Sequence, residues 1–186
     1  MAAPRFLVLV GLMGSGKSAV ARRLASSLDA ALLDTDTMVE ETSGRTVREM
    51  FADDGEETFR AAEESALRSA LGGDGRTVIA AAGGVVTRAQ NRDLINRARH
   101  EGRAWVVWLR TDPETLVKRV SRGGHRPLLD DDPRATLQRL HEERSPLYAE
   151  VADTVIDTTG ISVEEVARAV AGAYSALDAG GSGTNG

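Results

Sequence analysis

With 186 residues, 41% of them hydrophobic and 27% charged, the chain has the length and balance of one soluble domain with its own core. A net charge of −5 argues against a general nucleic-acid binder, and the absence of cysteine excludes disulfides and thiolate metal sites, as fits the cytosol. No apolar run approaches the ~20 residues of a membrane-spanning helix, and the histidines (His100, His125, His141) lack metal-ligand spacing.

Phe6 to Val10 is an apolar burst of strand length. It is short and ends in a glycine-rich loop, so it does not read as a signal peptide. The loop, Gly11-Leu12-Met13-Gly14-Ser15-Gly16-Lys17-Ser18, satisfies G-x-x-x-x-G-K-[ST], the phosphate-binding P-loop. Ala19 to Ala25 follows at helical spacing, so the motif has the strand and helix it requires. The glycines let backbone N–H groups turn inward, and the helix aims its positive end at the same point. Lys17 brings a charge to the β/γ-phosphates and Ser18 a hydroxyl to Mg²⁺. Of 23 basic residues only Lys17 and Lys118 are lysine, so a lysine at the motif position is informative and any single arginine is not.

Ala31-Leu32-Leu33 predicts a short buried strand. Asp34-Thr35-Asp36 stands at its carboxyl end, where open α/β sheets bind ligands. The two carboxylates suit a metal or a hydroxyl; alternatively one of them caps the next helix, Thr37 to Glu41. Ser43-Gly44-Arg45 ends that helix. Thr46-Val47-Arg48-Glu49 reads as a capping box for a short helix through Phe51, and Asp53-Asp54-Gly55 as a turn. A longer helix follows from Glu56 or Glu57 to Leu71, with Phe59, Ala62, Ala66, Leu67 and Ala70 inward. On it Arg60 stands one turn from Glu63 and Glu64, a pattern that alone reads as a solvated ion pair.

Thr77 to Ala82 predicts a third buried strand, ending in Gly83-Gly84, a pair that suits close approach of a ligand or a tight turn equally. Thr87 to Ala98 is an amphipathic helix. Ala104 to Leu109 is a fourth strand whose Trp105 and Trp108 pack into core or sheet edge. Thr111-Asp112-Pro113-Glu114 starts a helix with a capping box and an early proline, running to about Val120. Residues at about 119–133 are glycine-flexible, basic then acidic, and read as a solvated loop or as a mobile lid carrying arginine onto phosphates. A helix from Pro133 to Arg144, Ser145-Pro146-Leu147-Tyr148, a fifth strand from Val151 to Ile156 and a last helix to about Leu177 complete the pattern. Residues 179–186 are expected to be a flexible tail. Alternating strands and helices predict an α/β fold: one domain over 1–178, a five-stranded parallel sheet with helices on both faces.

Six of these signatures, in this order, resemble the shikimate kinases, nucleoside-monophosphate-kinase-like P-loop proteins, over about Arg5 to Leu177. They are the P-loop; Asp34-Thr35-Asp36; Gly55-Glu56-Glu57-Thr58-Phe59-Arg60; Gly83-Gly84; Arg126-Pro127-Leu128-Leu129; and Arg144-Ser145-Pro146-Leu147-Tyr148. The resemblance implies a P-loop kinase with a mobile lid at about 119–133. It implies transfer of the γ-phosphoryl group of ATP to the 3-hydroxyl of shikimate, on the route to chorismate and the aromatic amino acids. The enzyme would be monomeric and cytoplasmic, would use Mg²⁺, and would have no nucleic-acid or membrane partner.

The same resemblance implies roles. Gly14, Ser15, Gly16, Lys17, Ser18 and Ala19 hold the phosphates, and Ser18 and Asp34 hold the metal. Asp36 binds the substrate hydroxyls and is the candidate base. Arg60 and Arg144 hold the substrate carboxylate, and Gly83 and Gly84 touch substrate with their backbone. Arg126 reaches ATP from the lid and acts in catalysis with Lys17 and Asp36. Arg119, or else Arg122, lies against the adenine, and Phe51 and Phe59 wall the pocket. Where the family usually has a first of three glycines, this chain has Ala82; either the backbone there is β-like and nothing changes, or substrate binding is looser. The rival readings are a kinase of another small hydroxy acid, such as gluconate, and a nucleotide-dependent switch. The switch leaves Asp34, Asp36, the two arginines and the lid without a task.

Overall fold

The structure is a computed structural model that describes residues 3–121 and 132–180. Arg122, Arg126 and most of the expected lid lie outside the described residues, as do residues 181–186 of the expected tail. Five strands, β1 (Phe6–Val10), β2 (Ala31–Asp34), β3 (Thr77–Ala80), β4 (Ala104–Arg110) and β5 (Thr154–Asp157), form one parallel sheet in the order β2-β3-β1-β4-β5. The helices are α1 (Lys17–Leu28), α2 (Thr35–Ser43), α3 (Val47–Ala70), α4 (Ala89–His100), α5 (Pro113–Val120), α6 (Pro133–Val151) and α7 (Val163–Gly180).

The central strand explains the layering. β1 is buried along its whole length, and its side chains alternate between faces. Phe6, Val8 and Val10 pack with Ile95 of α4 and Leu137, Leu140 and Tyr148 of α6. Leu7 and Leu9 pack on the other face with Val20 and Leu24 of α1 and Val166 and Tyr174 of α7. The tryptophans divide in the same way: Trp105 meets Tyr174 and Trp108 meets Tyr148, with ring centroids 5.9 and 5.7 Å apart. Both are core residues. A third, small cluster (Val39, Met50, Phe59, Ala66) joins α2 to α3 away from the sheet.

The chain leaves β1 toward β2 and leaves β3 toward β4. Its direction therefore reverses between these two neighbours, where open α/β sheets bind ligands. No helix among the described residues is long and apolar enough to cross a membrane.

Several boundaries differ from expectation. α6 does not stop at Arg144 but continues through Pro146 to Val151. Pro146 removes only one N–H donor, and the buried Tyr148 and Val151 keep the last turn packed on the sheet. The fifth strand accordingly starts at Thr154. α5 is capped by Asp112, whose side chain accepts from the Thr115 N–H, because Thr111 is turned away to share a hydrogen bond with Thr158 at 2.6 Å. α2 begins two residues early, at Thr35. The predicted turn at Gly55 is a break inside α3, with φ 83° and ψ 170° at that glycine. α7 runs to Gly180, three residues beyond its expected end.

Candidate active site

The P-loop follows β1 directly, and its glycines are dictated by space and by backbone conformation. Gly11 has φ 147°, and a Cβ there would come within 2.6 Å of the Leu109 carbonyl oxygen. Gly14 and Gly16 lie in the left-handed region, at φ 82° and 95°. α1 then begins with no side-chain cap, which leaves its first N–H groups for an anion. Ser15 Oγ is buried with no hydrogen-bond partner among the described residues. Lys17 folds back over the loop, its Nζ donating to the carbonyls of Gly11 at 2.8 Å and Leu12 at 3.0 Å. Left-handed glycines and an uncapped helix start are the features by which such a loop binds a polyphosphate.

Asp34, at the end of β2, has two engagements. Its Oδ2 accepts from Ser18 Oγ at 2.6 Å, and its Oδ1 accepts from the Asp36 N–H at 3.1 Å, capping α2. The helix-capping reading of this carboxylate is therefore met. The donor set fits Mg²⁺: a hydroxyl and a carboxylate, both hard oxygen ligands, already within one coordination sphere of each other. No cluster of three or more acidic or histidine side chains able to hold a metal exists among the described residues, so phosphate oxygens and water would complete the shell.

Beside the loop lies a cavity of about 530 Å³ lined by Asp36, Arg60, Gly83, Gly84 and Arg144, with Met13, Phe51, Phe59 and Glu63 among its other walls. Five residues picked from four separated stretches of sequence therefore share one cavity. Arg60 is only 7% exposed, not solvated as its pattern suggested. It bonds Glu63 at 2.5 Å and Glu56 at 3.1 Å, and lies over the rings of Phe51 and Phe59. Burial works against the Arg60 cation, but the two glutamates outweigh it and hold its pKa above the ordinary value. Burial pushes the Glu63 carboxyl up, a shift that Arg60 only partly opposes. Phe51 and Phe59 meet with ring centroids 4.6 Å apart.

The turn after β3 completes the wall. Gly83 packs against the P-loop, a Cβ there falling 3.3 Å from the Met13 nitrogen. Its carbonyl accepts from Arg144 Nη1 at 3.0 Å and Tyr148 Oη at 2.5 Å. Ala82 keeps φ outside the left-handed region, and its N–H donates to the buried Thr35 Oγ1 at 2.8 Å. The backbone at Ala82 is thus unstrained, in line with the first alternative, in which nothing changes.

Arg119, at the end of α5, donates to the Gly14 carbonyl at 3.4 Å and to the Thr158 carbonyl at 2.9 Å. It joins the P-loop to the segment after β5. Glu63 and Met13 also line the cavity and Thr35 holds the turn after β3, positions that no local pattern marks beyond the pairing of Glu63 with Arg60. The signal for Glu63 is its three-residue spacing from Arg60; its burial is a tertiary fact.

A donor-lined cradle at the mouth of the central strand, abutting a cavity that carries guanidinium and carboxylate groups, defines a P-loop phosphotransferase with an acceptor site beside its nucleotide site. The comparisons narrow this class. The family model for shikimate kinase matches residues 13–174. The shikimate kinase of Symbiobacterium thermophilum is 44% identical over 163 residues, covering 86% of this chain and 90% of that one. That of Halorhodospira halophila is 42% identical over 168 residues, covering 90% and 92%. The structure of a shikimate kinase from Acinetobacter baumannii in complex with shikimate matches with a TM-score of 0.86 at 34% identity, over 94% of each chain. The chain belongs to the shikimate kinase family and is an ATP-dependent kinase.

Proposed function

We propose that the protein transfers the γ-phosphoryl group of ATP to the 3-hydroxyl of shikimate, releasing shikimate 3-phosphate and ADP. The observation that carries this reading is the convergence of Arg60, Arg144 and Asp36 on one cavity beside the P-loop. A small carboxylate needs guanidinium, and an acidic protein must build its positive ground locally. Arg60 is largely neutralised by Glu63 and Glu56, so Arg144 supplies most of the net charge for the carboxylate while Arg60 supplies direction.

Gly14, Ser15, Gly16, Lys17, Ser18 and Ala19 hold the ATP phosphates. Lys17 leaves the loop carbonyls for the β/γ-phosphates when they arrive. Asp36 orients the 3-hydroxyl. As the new O–P bond forms and the bond to the ADP oxygen breaks, Asp36 accepts the hydroxyl proton. Ser18 and Asp34 hold Mg²⁺, which when bound neutralises charge on the phosphate oxygens. Arg119 lies against the adenine, and Arg126 adds charge from the lid. Gly83 and Gly84 offer backbone N–H groups to shikimate. We read the enzyme as a monomer that acts in the cytoplasm.

The test is a coupled ADP-release assay over a panel of small hydroxy acids. Shikimate-dependent turnover is expected, and Arg144→Ala should raise the KM for shikimate by at least about tenfold while leaving that for ATP unchanged. Turnover of gluconate without turnover of shikimate would overturn the assignment.

A further inference from the structure

The Gly83 carbonyl accepts from two side chains that stand four residues apart on one face of α6, Arg144 and Tyr148. Tyr148 is 1% exposed, with its ring against Trp108. Burial raises the pKa of its phenol, so the hydroxyl is a permanent donor at neutral pH. In a planar trans peptide the C=O of one residue and the N–H of the next point in opposite directions. A Gly83 carbonyl fixed toward α6 therefore fixes the Gly84 N–H away from α6. That N–H has no acceptor among the described residues, and Gly84 lines the cavity.

We propose that Tyr148 is a positioning residue for the phosphoryl acceptor. Its hydroxyl anchors the 83–84 peptide, fixing on one side the carbonyl that steers the Arg144 guanidinium and on the other the Gly84 N–H, which is thereby turned to the acceptor. A glycine pair has the freest backbone in the chain, and it would otherwise sample several orientations of that peptide. The proposal rests on the kinase reading above and adds to it a residue that does not touch substrate.

Tyr148→Phe keeps the ring and its packing on Trp108 but removes the donor. The expected result is a rise of about tenfold in the KM for shikimate, with the KM for ATP within about twofold of wild type. A core-filling role alone would not split the two constants in this way. Val151→Ala, one turn further along α6 and fully buried, is the control. It should lower the unfolding midpoint at least as much and leave the KM for shikimate within about twofold. Combining Tyr148→Phe with Arg144→Lys should raise that KM by less than the product of the single effects, because both side chains act on one carbonyl. The proposal is overturned if Tyr148→Phe leaves the KM for shikimate unchanged, if Val151→Ala raises it equally, or if the two substitutions multiply. Wild-type protein that does not phosphorylate shikimate defeats the functional reading and the proposal together; active wild type with an indistinguishable Tyr148→Phe defeats the proposal alone.

Discussion

The guanidinium of Arg60 fills the space in which a side chain on Gly84 would stand; an ideal Cβ there would lie 2.8 Å from its Cζ. Arg60 cannot step aside freely, because Glu63 and Glu56 hold it and it is buried. Gly84→Ala must therefore loosen the ion pairs or tilt the turn, and overpacking of this kind costs about 1–3 kcal/mol. The expected outcome in steady-state kinetics is a KM for shikimate raised by about tenfold or more, with ATP affinity retained.

Asp34 caps α2 and accepts from Ser18, the hydroxyl proposed to share Mg²⁺ with it, and one substitution separates the cap from the proposed metal role. Asparagine caps a helix about as well as aspartate, so Asp34→Asn should leave the urea midpoint nearly unmoved. It removes a charged ligand beside Ser18, and the Mg²⁺ concentration giving half-maximal rate should rise by about tenfold. Loss of stability with unaltered Mg²⁺ dependence would assign Asp34 to the cap alone.

Ala82, which precedes the glycine pair, has an unstrained backbone, and its N–H is already used by Thr35. Glycine has nothing to supply there. Ala82→Gly should lower stability by about 0.5–1 kcal/mol through the freer unfolded chain. The KM for shikimate should stay within about twofold of wild type; tighter binding would show that the alanine methyl obstructs the cavity.

Asp112 gives the acid limb of the stability curve a defined contributor. Hydrogen bonds from Thr115 hold its carboxyl below the ordinary value of 3.8. The stabilisation is therefore present above pH 3.8 and disappears as pH falls through the lower folded-state value. Asp112→Ala should cost about 1 kcal/mol at pH 7, and the gap to wild type should narrow below that threshold in urea titrations at stepped pH.

Much of this architecture was readable beforehand because it depends on local pattern. The P-loop has fixed spacing, and β1, β3 and β4 are apolar bursts that only a doubly covered sheet can bury. The capping box at Thr46 and Glu49 is a local device and is present as predicted. What was misread depends on partners far along the chain. Arg60 looked solvated because the covering of its guanidinium by Phe51 and Gly84 is not encoded in helical spacing. Thr111 looked like a cap until Thr158, 47 residues on, claimed its hydroxyl. Pro146 looked like a helix end because local rules ignore what Tyr148 and Val151 gain by staying helical.

The small cluster formed by Val39, Met50, Phe59 and Ala66 is separate from the two main core clusters and meets one of them through Met38, and Gly55 breaks the helix that runs through it. Two sides of the acceptor cavity consequently differ in cooperativity: one rests on β1 and β3, the other on a handful of side chains. Amide protons of α2 and the first turns of α3 should exchange with deuterium through openings far cheaper than global unfolding, while those of β1 exchange only with it. The wall that meets the acceptor can then rearrange without disturbing the nucleotide cradle.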